Sequence, residues 1–174
     1  MFRKVFITIL ILQFALIANA QSDCYYKLDK EKILANKNLD IFFKKLETDS
    51  FIIWNDKDKI PAYIMKQFNC ISDNAKLANP SEKFEENDFV TDSTLPGRQL
   101  IFCAKSKNLF VLTYVHGGLA EHIHIVLMEF EKEKLVDVWC GVNIDELKDI
   151  KEIISFIKNN RDKEDGLNTN IIEL

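Results

Sequence analysis

RQLIFCAKSKNLFVLTYVHGGLAEHIHIVLMEFEKEKLVDVWCG, Arg98 to Gly141, is the stretch that decides the fold. It contains four runs rich in β-branched and aromatic residues: RQLIFCAK, NLFVLTYV, EHIHIVLMEF and KLVDVWCG. Turn-like segments at Ser106-Lys107, Gly117 to Ala120 and Lys132-Glu133 separate them. Short apolar runs joined by short turns predict an antiparallel meander.

Turn positions predict register, and register sorts side chains by face, because neighbours along a strand point to opposite sides. A turn at Ser106-Lys107 pairs Lys105 with Asn108. A turn at Gly118-Leu119 pairs His116 with Glu121, and one at Lys132-Glu133 pairs Glu131 with Lys134. One face then carries Ile101, Cys103, Phe110, Leu112, Tyr114, Ile123, Ile125, Leu127, Val136, Val138 and Cys140. The other carries Leu100, Phe102, Val111, Thr113, His122, His124, Val126, Met128, Asp137 and Trp139. Both faces are apolar, so the sheet needs two covers. The polar 79–98 loop, a helix or a partner would supply the second.

Flanking segments supply helices. Leu39, Phe42, Phe43 and Leu46 follow Asn38 at i, i+3, i+4 and i+7 spacing, one apolar face behind a cap residue. Asp29 to Ala35 reads as an earlier helical turn. Phe51 to Trp54 reads as a short strand. Pro61 suits the start of a second helix with Ile60, Ile64, Phe68 and Ile71 on one face. After the meander, Asn143 and Glu146 form an N-x-x-E pair ahead of Leu147, Ile150, Ile153, Ile154 and Ile157. The expected fold is α+β: a four- to five-stranded antiparallel meander with N-terminal helices and one C-terminal helix. The 161–174 segment is expected to be a mobile tail, in which NIIEL could add a strand.

The chain begins with an address. Arg3 and Lys4 precede an apolar run from Val5 to Ile17, and Ala18-Asn19-Ala20 is a small-x-small site, the pattern of a signal peptide cleaved after Ala20. The remainder, 21–174, is the size of a single domain. Loss of Arg3 and Lys4 leaves 21 basic against 27 acidic side chains, a net charge of −6. With no basic stripe, nucleic acid is not an expected partner. Another protein is, and a cationic one would fit. The membrane is met only through the leader before cleavage.

Four cysteines, Cys24, Cys70, Cys103 and Cys140, follow the leader. In an exported chain an even count predicts at least one disulfide, with three possible connectivities. Cys103 and Cys140 lie three strand steps apart in a sequential meander, roughly 14 Å, beyond the ~7 Å Cα limit of a disulfide. Each then bonds to Cys24 or Cys70 or stays reduced, or Cys24 pairs with Cys70.

All three histidines lie in HGGLAEHIH, His116 to His124. His122 and His124 share a face about 7 Å apart along the strand, and an H-x-H pair can ligate zinc. In the default register His116 lies on the opposite face. A one-residue bulge at Gly117-Gly118 would pair His116 with His122 and unite all three; the sequence permits either case. No fourth ligand is evident. Glu121 and Glu129 fall on the other face, and Asp137 lies too far along.

No G-x-S-x-G, Walker loop, H-E-x-x-H or G-x-G-x-x-G occurs. HGG alone, without a nucleophile elbow, does not make an esterase. No catalytic residue is assigned. The composition points to a small exported binding protein, periplasmic or secreted, of inhibitor or immunity type and without a cofactor. His116, Gly117, Gly118, His122, His124 and Trp139 are its expected contact surface. The alternative is a zinc-binding protein or metal-dependent hydrolase using His116, His122 and His124.

Overall fold

The computed structural model describes residues 24–72, 76–86, 92, 94–117, 122–163 and 167. The leader, Gly118 and the NIIEL segment lie outside the described residues. The fold is α+β, as the sequence predicts. Chain order is α1 (Lys30–Leu34), α2 (Leu39–Thr48), β1 (Ile52–Ile53), a 3-10 turn (Lys57–Lys59), α3 (Ala62–Ile71), β2 (Leu77–Ala78), β3 (Arg98–Lys105), β4 (Leu109–His116), β5 (His122–Glu131), β6 (Lys134–Asn143) and α4 (Ile150–Asn160). The sheet runs β1-β3-β4-β5-β6.

The outer edge of β3 is closed at both ends. β1 pairs antiparallel at Ala104 and Lys105, and β2 pairs parallel at Arg98 and Gln99. Beside β1, the Asn55 side chain accepts from the Cys103 N–H at 3.0 Å. Occupied edge groups cannot template pairing with another chain.

Helices cover both faces, which is the helix option for the second cover; part of the 79–98 loop lies outside the described residues. One face buries Leu100, Cys103, Phe110, Leu112, Tyr114, Val126, Met128, Phe130, Leu135, Val138 and Cys140 against Ile33 of α1, and Ile64 and Phe68 of α3. The other buries Phe102, Ala104, Leu109, Val111, Ile125, Leu127 and Trp139. Its cover is Leu39, Phe42 and Leu46 of α2 with Ile153 and Ile157 of α4.

The face sorting differs from the sequence expectation at three places. In β3 an extra residue, Ile101, sits between the Leu100–Tyr114 and Phe102–Thr113 pairs, so Leu100 rather than Ile101 shares a face with Cys103. Between β4 and β5 the register is His116–His122, one residue beyond the default, which flips all of β5. Between β5 and β6, Val136 is the extra residue between the Phe130–Leu135 and Glu129–Asp137 pairs. The last two slips compensate, so Val138 and Cys140 face Phe110 and Leu112 as expected, while β5 between them is reversed. The first hairpin is displaced by two residues, with Lys105 opposite Phe110, and an even shift leaves the faces unchanged. The final hairpin follows expectation: Glu131 pairs with Lys134, and Lys132 and Glu133 both take positive φ, 47° and 67°, as a type I′ turn requires.

Two cap expectations are corrected. Asn38 precedes α2 but makes no side-chain cap bond; its Nδ2 instead donates to Asp137 Oδ1 at 2.9 Å and to the Val138 carbonyl at 3.0 Å. Lys32 Nζ completes this tether, 2.8 Å from Asp137. The link to the bulged β6 uses both Nδ2 hydrogens and leaves Oδ1, the atom a cap would use, buried without a hydrogen-bond partner among the described residues. The C-terminal helix starts later than Asn143-x-x-Glu146 implied. Asp149 accepts from Glu152 N–H at 2.8 Å, and Glu152 accepts from Lys148 N–H at 2.6 Å. Leu147 is buried ahead of the helix rather than within it.

Cys24 is bonded to Cys70, with Cα atoms 5.4 Å apart, tying the start of the described chain to α3. Cys103 and Cys140 are buried free thiols, so of the pairings the sequence left open it is Cys24 with Cys70 that forms. Burial raises the pKa of both, which keeps them protonated and poor ligands or nucleophiles.

Candidate metal centre

The slipped register builds the site. His116 ends β4 and His122 begins β5, directly opposite each other; His124 lies two residues further along β5, opposite Tyr114. Residues paired across two strands share a face, and so do residues two apart on one strand. All three imidazoles therefore stand on the α3-covered face, and His116 opposite His122 is the register realised; the bulge expected at Gly117-Gly118 falls partly outside the described residues. Ring centroids are 5.4 Å apart for His116–His122, 5.8 Å for His116–His124 and 4.8 Å for His122–His124. One ring nitrogen from each lies within 4.8 Å of the other two.

That spacing suits one metal ion after a small closure. Zinc sits about 2.0–2.1 Å from imidazole nitrogen in tetrahedral geometry, which sets ligand nitrogens about 3.3 Å apart. Side-chain rotation about χ1 and χ2 covers the difference. Among the described residues, no carboxylate or thiol joins the three histidines.

His124 anchors the cluster. It is 2% exposed, and its ring is stacked on Tyr114 at 4.9 Å and 7°. Tyr114, itself fully buried, meets Phe68 of α3 edge-on at 5.7 Å. His124 Nε2 has no hydrogen-bond partner among the described residues. Burial, and then the neighbouring His122, His116 and Arg98, push its pKa down to about 3. At neutral pH it is an uncharged imidazole, the form that ligates metals.

The same shift predicts acid sensitivity of the metal-free protein. The unfolded imidazole takes a proton near pH 6.5, the folded one only near pH 3. Between those values the unfolded state binds more protons, so this contribution to stability is intact above about pH 6.5 and declines as pH falls. The loss is about 3 kcal/mol by pH 4. Urea midpoints at pH 7 and pH 4 should show a smaller pH dependence in His124→Phe than in the wild type. Equal pH dependence would contradict it.

The neighbourhood includes residues that motif reading passed over. Arg98 opposes His116 across β3 and β4, and its guanidinium carbon is 5.7 Å from the Tyr114 ring centre. Tyr114 was legible in principle, since the bulged register places it opposite His124. Arg98 was obscured by its position at the end of a long polar segment. Gly117 has a further role: a Cβ there would lie 2.3 Å from the Glu85 carbonyl oxygen and 2.8 Å from Glu86 Cα. Only glycine lets the 85–86 backbone rest on the hairpin beside His116.

Of the six residues expected on a contact surface, His116, Gly117 and His122 are half-buried and His124 is buried. Trp139 is fully buried on the opposite face, its Nε1–H donating to Asn36 Oδ1 at 2.9 Å. Gly118 is outside the described residues. Among those residues no helix is long and apolar enough to cross a membrane. Searches of protein-family models, curated proteins and solved structures find no match to this chain.

Proposed function

We propose that this chain is an exported protein that binds one transition-metal ion, zinc in the first instance, through His116, His122 and His124. One observation carries the reading: a nitrogen from each of the chain's three histidines lies within 4.8 Å of the others on one sheet face. The buried, neutral His124 with its unpartnered Nε2 supports it, since an orphaned polar atom in the interior is costly and calls for a partner. Imidazole-only sites favour zinc, copper and nickel over calcium or magnesium. Export is supported by the leader-like 1–20 segment and by the Cys24–Cys70 bond, since disulfides persist in oxidising compartments. Periplasmic or secreted protein would then meet metal outside the cytoplasm. The contact-surface reading is less favoured, because Trp139 and His124 belong to the interior.

Untagged protein, purified and freed of metal, should take up one equivalent of zinc in a calorimetric titration. Lack of saturable uptake, or equal uptake by a variant with all three histidines replaced by alanine, overturns the proposal.

A further inference from the structure

Granted the metal reading, on which this rests, the Cys24–Cys70 bond can be assigned a role at the histidine site. Cys70 lies in the last turn of α3, two residues after Phe68. Phe68 meets Tyr114 edge-on at 5.7 Å, and Tyr114 stacks on His124 at 4.9 Å. All three side chains are buried. The disulfide thus holds the helix whose packing orients the innermost imidazole.

The other end of the bond is anchored too. Cys24 begins a segment in which the Tyr25 hydroxyl accepts from the Leu135 N–H of β6, while Tyr26 and Leu28 pack against the same core as Phe68. α3 has ten residues, and Pro61 ahead of it makes no side-chain cap bond. Helices of that length are marginal on their own. The place of α3 over the sheet therefore depends on the packing of Ile64 and Phe68 and on the covalent tie. Cys103 and Cys140 are sealed in the core, whereas Cys24 is exposed, so a reductant in solution meets this bond first.

We propose that the oxidation state of Cys24 and Cys70 sets the metal affinity of the three-histidine site. With the disulfide formed, α3 clamps Phe68 on Tyr114 and Tyr114 on His124, and the innermost ligand is pre-organised for the ion. A dithiol reductant delivers two electrons and two protons; the S–S bond becomes two thiols and the dithiol leaves as a cyclic disulfide. α3 is then held by side-chain packing alone, and metal binding must itself supply the ordering that the bond had supplied. Coupling between sites is typically roughly 5–150-fold in affinity, and bound metal must favour the disulfide by the same factor. A chain not yet oxidised holds metal weakly.

Calorimetric zinc titration of folded protein tests this, with serine in place of both cysteines so that no new thiol binds the metal. Cys24→Ser/Cys70→Ser should take up one equivalent of zinc about tenfold more weakly than the oxidised wild type. Phe68→Leu, with the disulfide intact, should weaken zinc binding by about fivefold or more. Trp139→Phe, which perturbs the opposite core, should leave it unchanged. Unchanged zinc affinity in the double serine variant, or equal weakening in Trp139→Phe, overturns the coupling and leaves the metal site standing. If the double serine variant does not fold, unchanged affinity in Phe68→Leu overturns it instead. No zinc uptake by the oxidised wild type overturns the metal reading and this proposal with it.

Discussion

Saturating zinc should raise the melting temperature of the wild-type protein by roughly 5–10 °C and leave His122→Ala unmoved. Ligand at 100 times its dissociation constant stabilises the folded state by about 2.7 kcal/mol, and a domain of this size gains about 2–4 °C per kcal/mol. His122 is the cleanest position to test. It is half-buried at the start of β5, so truncation removes a ligand with little loss of packing. His124→Phe complements it, keeping an aromatic ring against Tyr114 where the imidazole stacks at 4.9 Å. Each change should weaken zinc binding more than about 100-fold, beyond the 10–100-fold typical of removing an outer-shell partner. Retention of the zinc-induced shift in both variants would mean that the three rings are neighbours and not ligands.

Trp139→Ala should be the most damaging single core substitution of those considered, at about 3–5 kcal/mol and roughly 10 °C or more in melting temperature. The indole is fully buried among residues of α2, α4 and the sheet. Its ring occupies the space above Gly141, where a Cβ would approach Trp139 Cη2 to 2.5 Å. Trp139→Phe keeps most of the ring but leaves Asn36 Oδ1 without its 2.9 Å donor, at about 1–3 kcal/mol. Because Trp139 is on the face opposite the histidines, the Phe variant should bind zinc as the wild type does. Loss of zinc uptake in a folded Trp139→Phe protein would place this residue with the site and contradict the face assignment.

Much of this architecture was legible along the chain. Leu39, Phe42 and Leu46 announced α2 by spacing alone, and all three are buried. Lys132-Glu133 was recognisable as a two-residue turn, and Glu131 does pair with Lys134. Cys103 and Cys140 were too far apart to bridge in a sequential meander, and both stay reduced. Local rules succeeded here because spacing, turn length and strand separation are properties of short segments.

The site itself required the tertiary structure. His116, His122 and His124 were visible as a cluster, but their common face depended on register. Side chains alternate with period two, so one residue more or less in the 117–121 connection moves all of β5 to the other face. The sequence admitted both parities. Packing selects between them: with His116 opposite His122, Val126 and Met128 meet the α3 face while Ile125 and Leu127 meet α2 and α4. The extra residue at Val136 then restores β6, placing Trp139 in the opposite core rather than beside the histidines. Strands, turns and candidate ligands were thus written in the sequence. The convergence of three imidazoles beside Arg98 was decided by two one-residue slips, the extra residue Ile101 in β3 and the shifted β4–β5 register, whose cost and benefit are summed over both faces of the sheet and cannot be read from any one segment.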